Sequence, residues 1–266
     1  MAKSNRSLVD LDTIGALFAD GVAKATELMH IGLTSDTVYS RCRPGGPWQR
    51  LLPGVLLLSS AAPSRHQLAR AALRYAGPEA ILTGHDALQL LGLKSAQPSG
   101  PVHVLIPLQQ QVRSDSNIQV ERNTRMPKPL MRKGLLTAPV TRAVLDAARR
   151  LNSLDRARAL IAEAVQRQFT QPEELRAELE RGSNRGSALP RKVLVEISDG
   201  VRSAAEAWAR ALVRKADLPA PQWNVRLCAS GCTFLGVVDA WWDRVGLVWE
   251  IDSYEFVCPE QEGSLM

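Results

Sequence analysis

The chain has 266 residues, of which 45% are hydrophobic and 23% charged, a composition typical of a folded globular protein and not of a disordered one. Its 33 Lys and Arg residues outnumber its 27 Asp and Glu residues, a mild basic surplus that is compatible with nucleic-acid binding without requiring it. The sequence shows no apolar run long enough to cross a membrane, no secretory leader and only four cysteines. We therefore expect a cytoplasmic protein with no disulfide framework and no membrane contact.

The basic surplus is concentrated in the middle of the chain. Residues 61–150 carry 13 basic and 5 acidic residues, net +8, whereas residues 201–266 carry 6 and 9. A basic block of this kind follows a phosphate backbone, forms a solvated face or contacts an acidic partner. Charge alone does not distinguish these three roles for the basic block.

The first elements predict a helix-turn-helix. Apolar spacing indicates a helix over residues 10–18 and a second helix from Val22 through Met29, which ends at Gly32. A third helix follows, with Thr34 or Ser35 as its N-cap. In such a pair, the second helix presents its first turns to base edges in the DNA major groove.

A β-hairpin follows this helix directly. Residues 48–52 and 55–58 read as strands joined by a Pro53-Gly54 turn, which is the position of the wing in a winged helix. We therefore predict a winged helix-turn-helix over residues 1–62, in which Ser35, Thr37, Ser40 and Arg41 approach bases and Arg43, Arg50 and Arg65 bind phosphates. The alternative is a small helical subdomain with a hairpin that contacts protein.

The middle of the chain, residues 63–181, alternates helices and strands and predicts an α+β domain. Its strands are expected over residues 102–107 and 118–122. Residues 182–187, Gly-Ser-Asn-Arg-Gly-Ser, have the composition of a linker and separate a last domain over residues 188–266.

The last domain places carboxylates on a helix and two strands. The helix carries Glu206, a strand over residues 232–242 carries Asp239, and a strand over residues 245–252 carries Glu250 and Asp252 on one face. Four carboxylates in this arrangement suit one Mg²⁺ ion, with Asp239 and Glu250 as its metal ligands, and such an ion activates water against a phosphodiester. Mg²⁺ is expected only if this site is active, and otherwise we expect no cofactor. The alternative is that these carboxylates form local salt bridges.

Several segments resemble known families. The segments TSDTVYSRCRPGGPWQRLLPGVLLL, AILTGHDALQLLGL, PVHVLIP and TAPVTRAVLDAARRL resemble actinobacterial AbiEi-type proteins, which are winged-helix regulators regarded as antitoxins of type IV toxin–antitoxin systems. The segments SAAEAWARALVRKADLPAPQWNV and GVVDAWWDRVGLVWEIDSYEF resemble the very-short-patch-repair endonuclease-like domain of the PD-(D/E)XK superfamily. The resemblance implies binding of the protein's own operator DNA and of a nucleotidyltransferase-like toxin.

The endonuclease-like segment departs from its family at one catalytic position. Asp252 stands where the motif has a lysine, and the chain ends at Met266 before the further segments of related domains, so we expect a degenerate and incomplete α/β domain. The sequence leaves enzymatic activity undecided and favours a sequence-specific DNA-binding regulator, an autoregulating antitoxin that acts as a monomer or a dimer. The alternatives are a Mg²⁺-dependent DNA endonuclease and an antitoxin that binds protein without binding DNA.

Overall fold

The computed structural model describes residues 11, 13–198, 204–229 and 234–251, and this part of the chain contains both helices and β-sheets. This mixture confirms the predicted α+β class. The chain divides into two compact units, residues 1–147 and 148–266, a division that does not coincide with the predicted boundaries after residues 62 and 181. No helix in the described ranges is both long and apolar enough to cross a membrane.

The first unit begins with a small antiparallel sheet and two helices. After short 3-10 turns at Ile14–Leu17 and Ala19–Gly21, the elements are β1 Val22–Lys24, α1 Ala25–His30, α2 Ser35–Arg41, β2 Gln49–Leu52 and β3 Val55–Leu57. The strand order is β1-β3-β2, so β2 lies at one edge of this sheet.

The prediction that a helix begins at Val22 is wrong, since Val22 pairs with Leu57 in β1 and is fully buried. The predicted helix over residues 10–18 is likewise a 3-10 turn over Ile14–Leu17 in its described part. In both places a pairing or packing partner distant in sequence outweighs local helical spacing.

One apolar cluster holds these elements together. It consists of Ile14, Ala23, Leu28, Leu33, Val38, Trp48 and Leu56. Trp48 is only 3% exposed, and its backbone N–H donates to the carbonyl of Arg41 over 3.1 Å. The chain makes this return through Gly46, where an added Cβ would collide with the same Arg41 carbonyl. The end of α2 is thereby fastened to the start of β2.

The rest of the first unit is a five-stranded mixed sheet with helices. Its elements are α3 Arg65–Ala76, β4 Ile81–Leu82, α4 Gly84–Leu91, β5 Val102–Pro107, β6 Ile118–Asn123, β7 Leu130–Arg132, β8 Leu135–Thr137 and α5 Val140–Ala148, which ends at the division between the units. The strand order is β6-β5-β4-β8-β7, so β6 and β7 form opposite edges. The two-residue turn between β7 and β8 has positive φ at Lys133 and Gly134, 46° and 74°.

A buried ionic group joins this sheet to α5. Asp146 accepts hydrogen bonds from Arg142 Nε, 2.9 Å from each carboxylate oxygen, and from Thr83 Oγ1 over 2.7 Å. All three residues are at least 96% buried. Because Thr83 follows β4, the carboxylate fixes α5 to the end of a central strand.

The second unit contains four helices and a three-stranded antiparallel sheet in its described part. These are α6 Leu154–Gln166, α7 Pro172–Arg181, α8 Ala188–Ser198, α9 Ala204–Lys215, β9 Gln222–Cys228, β10 Phe234–Trp242 and β11 Leu247–Trp249. The third strand is shorter than the predicted 245–252, because Asp243–Val245 form a 3-10 turn. The predicted linker is a hydrogen-bonded turn, in which the Asn184 carbonyl accepts from Ser187 N and Oγ over 3.1 and 2.7 Å.

Candidate nucleic-acid interface

The start of α2 is fixed by two threonines. Thr34 is the N-cap, and its Oγ1 accepts a hydrogen bond from Thr37 N over 3.2 Å, while the two hydroxyl oxygens lie 2.8 Å apart. Val38 points into the apolar cluster and is 7% exposed. The helix therefore turns its opposite face, which carries Asp36, Thr37 and Ser40, to solvent.

That outward face is short and polar. Ser35 and Ser40 are exposed, and Thr37 and Arg41 are partly exposed. Ser40 Oγ donates to the Thr37 carbonyl over 3.0 Å, which leaves its two lone pairs available as acceptors. The four residues predicted to approach bases thus lie on one seven-residue helix.

Two arginines at the end of α2 lie over aromatic rings. The Arg41 guanidinium is 5.2 Å from the centroid of the Trp48 ring, and that of Arg43 is 5.7 Å from the centroid of the Tyr39 ring. Tyr39 is 60% exposed, so its ring contributes to the surface. Cation–π contacts of this kind hold a guanidinium over the face of an aromatic ring.

Arg50 brings a third guanidinium to the same region. It lies on β2 with its side chain exposed. Burial raises the pKa of the Cys42 thiol, and the positive charge of Arg50 opposes that rise. Arg50 follows Trp48 by two residues, and the Trp48 N–H donates to the Arg41 carbonyl, so β2 begins beside the end of α2, where Arg41 and Arg43 lie.

Arg65 has a different role. Its Nε and one terminal nitrogen donate to the two carboxylate oxygens of Asp86 over 2.6 and 2.8 Å, and its other terminal nitrogen donates to the Gly100 carbonyl over 2.7 Å. Asp86 is 5% exposed, so the pair is structural. Protein acceptors already engage the Arg65 guanidinium, so Arg65 is not part of the candidate interface.

A polar loop beside β2, residues 108–117, was not singled out from the sequence. Asn117 Nδ2 donates to the Leu51 carbonyl over 3.1 Å, which brings the loop to the outer edge of β2. The only signal in the sequence is a run of glutamine, serine, asparagine and arginine between two strands. Such a run predicts a loop but not its neighbour.

The predicted carboxylates of the second unit are only partly described. Glu206 is 5% exposed, with Oε2 3.5 Å from Asn224 Nδ2. Asp239 Oδ2 accepts a hydrogen bond from Ile251 N over 2.7 Å. Glu250 is exposed just after β11, and Asp252 lies outside the described residues.

These carboxylates do not assemble a metal site in the described ranges, which omit Asp252. No three His, Cys, Asp or Glu side chains within them are grouped to hold an ion. In the described geometry the carboxylates of Glu206 and Asp239 are bound to Asn224 and to the backbone of Ile251 instead. Binding of Mg²⁺ by Asp239 and Glu250 stays a prediction.

Comparisons with known proteins bear on the fold alone. No family model and no curated protein matches this sequence. A solved structure similar to it is that of the RV2827C protein from Mycobacterium tuberculosis, with a TM-score of 0.50 and 14% identity. The match covers 82% of this chain and 87% of that one. This likeness supports a shared arrangement of helices and strands.

Proposed function

We propose that this chain is a sequence-specific double-stranded-DNA-binding protein in which residues 14–57 act as a winged helix and α2 acts as the recognition helix. The observation that carries the proposal is the order turn, β1, α1, α2, β2, β3 combined with the strand order β1-β3-β2. In a winged helix this arrangement presents the second helix to the major groove, with the β2–β3 hairpin beside it.

The chemistry of α2 supports reading of base edges. Arginine donates in bidentate fashion to guanine O6 and N7, and serine and threonine hydroxyls bond to several bases. Arg41 is restricted by Trp48, which lowers the entropy lost when it binds. Ser35 and Ser40 lie exposed on the same helix.

The two remaining arginines support a role in positioning. Arg43 and Arg50 are exposed and flank the end of α2. Contacts to phosphate fix the register of a protein on the duplex without reading sequence. Such contacts release counterions, so the proposed binding weakens as the salt concentration rises.

The wider role that we propose is a transcriptional regulator that represses its own operon as an antitoxin. It is supported by the resemblance of the segments around α2 and the hairpin to AbiEi-type proteins. The toxin partner would be a nucleotidyltransferase-like protein encoded beside it. Co-expression with that neighbour, followed by purification of a stable complex and by growth measurements, tests this part independently of DNA binding.

The DNA-binding proposal is tested by selecting binding sites from a random duplex library with the full-length chain. Binding to the selected site is then compared between the wild type, Arg41→Ala and Arg132→Ala, which removes an exposed arginine from β7. Loss of an arginine that reads a base reduces affinity by about 1–3 kcal/mol, roughly 5- to 150-fold, and relaxes specificity at one position. We expect this for Arg41→Ala and no change for Arg132→Ala.

The same assay separates the alternatives. If no sequence is enriched and no duplex binds at low salt, the DNA-binding proposal is wrong. An antitoxin that binds only protein then becomes the favoured hypothesis. A parallel reaction with Mg²⁺ on a denaturing gel tests the endonuclease. Metal-dependent cleavage that is lost in Asp239→Asn would establish it.

A further inference from the structure

The hairpin that serves as the proposed wing is unusually short. Only Pro53 and Gly54 separate β2 from β3, and neither carries a charge. Leu51 and Leu52 are buried, so the exposed cation of β2 is Arg50. A wing of this length offers little side-chain surface to a DNA backbone. A neighbouring element could add contacts to the DNA beside it.

The loop over residues 108–117 lies on the open edge of this hairpin. Asn117 Nδ2 bonds to the Leu51 carbonyl, two residues from the Pro53-Gly54 turn. The loop is held from its other side by Tyr75, whose hydroxyl donates to the Arg113 carbonyl over 3.2 Å. Arg113 and the hairpin are therefore tied to the same framework within the first unit.

The loop is ordered by its own hydrogen bonds. Ser114 Oγ accepts from Val120 N over 2.9 Å and from Gln119 Nε2 over 3.3 Å. Asp115 and Ile118 exchange backbone hydrogen bonds of 2.9 and 3.2 Å. A loop that is already ordered loses little conformational entropy when it binds a partner.

Apart from Leu108 and Asp115, its exposed side chains are donors of the kind that contact nucleic-acid backbones. They are Gln109, Gln111, Arg113, Ser114, Ser116 and Asn117. The acidic member of the loop, Asp115, has one carboxylate oxygen bonded to Ser116 N over 2.6 Å. Amides, hydroxyls and one guanidinium suit phosphate and sugar oxygens, which receive most protein–DNA hydrogen bonds.

We propose that residues 108–117 form a second DNA-contacting loop beside the wing, with Arg113 bound to a backbone phosphate outside the bases read by α2. The inference rests on the proposed winged helix and extends its footprint on one side. It assigns part of the affinity, and none of the base specificity, to a loop that belongs to the five-stranded sheet.

The experiment compares the full-length wild type with Arg113→Ala and Arg132→Ala on the selected duplex at several salt concentrations. Both variants remove one exposed arginine from the first unit. Arg113 precedes β6 and Arg132 lies on β7, the opposite edges of the sheet. At about 4.8 Å per strand, four steps separate those edges by roughly 19 Å.

We expect Arg113→Ala to weaken binding several-fold on specific and random duplexes alike, and to reduce the slope of log K against log salt by about 1. Hydroxyl-radical footprinting should show loss of backbone protection on the wing side only. Arg132→Ala should keep the affinity, slope and footprint of the wild type, and both variants should keep its melting temperature.

Two results would overturn the inference while the proposed function stands. One is an unchanged slope and footprint in Arg113→Ala when Arg41→Ala weakens specific binding. The other is an equal loss in Arg113→Ala and Arg132→Ala, which would indicate an effect of net charge. A wild type that binds no duplex overturns both the inference and the winged-helix proposal.

Discussion

Removal of the Asp146 carboxylate is the most demanding test of how the first unit is held together. Asp146 accepts hydrogen bonds from Arg142 and Thr83, and its side chain is 1% exposed while that of Arg142 is 5% exposed. In Asp146→Ala the buried guanidinium loses this carboxylate, and the Thr83 hydroxyl loses the acceptor that it has on Asp146. Breaking one side of a buried ion pair reduces the free energy of unfolding by about 3–5 kcal/mol.

The size of the expected effect follows from that burial. An exposed ion pair contributes about 0–1 kcal/mol, because water screens it and already solvates both partners. For a domain of 150–250 residues each kcal/mol shifts the melting temperature by about 2–4 °C, so we expect a decrease of roughly 6–20 °C. Glu79→Gln removes an exposed carboxylate from the same unit. It should change the free energy of unfolding by less than about 1 kcal/mol.

The assay is thermal and urea unfolding followed by circular dichroism, with the transition of the first unit analysed separately. The double variant Asp146→Ala with Arg142→Met removes both charges and should recover most of the lost stability. A loss below about 1 kcal/mol in Asp146→Ala would refute the reasoning. So would a double variant that is no more stable than the single one.

Three further predictions concern other contacts in the first unit. Trp48→Phe keeps an aromatic core but weakens the platform under Arg41, so DNA affinity should fall several-fold with base preference retained; unchanged affinity would show that the ring contact is irrelevant. Gly84 and Gly100 both have positive φ, 62° and 67°, so alanine is strained at either position. Gly84→Ala should lower the melting temperature more, because only at Gly84 does an added Cβ meet a buried histidine ring, at 3.2 Å. Equal losses in the two variants would contradict this. Burial raises the pKa of Glu27, but hydrogen bonds from the Arg74 side chain and the Lys24 backbone N–H outweigh this effect and lower the pKa overall. The ionised form therefore stabilises the fold above the usual glutamate pKa, and this stabilisation is lost as the pH falls through the lowered value. Glu27→Gln should flatten that acid dependence in pH-resolved unfolding curves, and an unaltered profile would count against it.

Local signals predicted the elements around α2. The N-cap at Thr34 and the Pro53-Gly54 turn each act within a few residues, so both can be recognised from sequence. Strand β1 was predicted as helix because Val22 to Lys24 span only three residues, and their partner strand lies more than thirty positions away. No pattern within these residues indicates that they pair with β3.

The candidate site shows the same division between local and distant information. Ser35, Ser40 and Arg41 lie in one seven-residue helix, so the local N-cap signal is enough to place them on the same element. Arg65 was grouped with the phosphate-binding arginines because its charge is visible in the sequence, whereas its buried partner Asp86 is not. The contact of Asn117 with β2 was missed for that reason too, since it depends on how two sheets of one unit meet.

The pairing of β4 has a consequence for synthesis on the ribosome. This strand has two residues, pairs antiparallel with β5 and receives β8 in parallel on its other side, with Leu82 opposite Thr137. During translation β5 follows within a few tens of residues, while the other edge of β4 has no partner until β8 and α5 have left the exit tunnel. An unpaired strand edge is where nascent chains associate wrongly. We therefore expect the yield of native protein to depend on translation speed during the interval between the emergence of β4 and that of β8 from the tunnel. Synonymous slow codons read in that interval should lower the yield more than the same codons placed after residue 230.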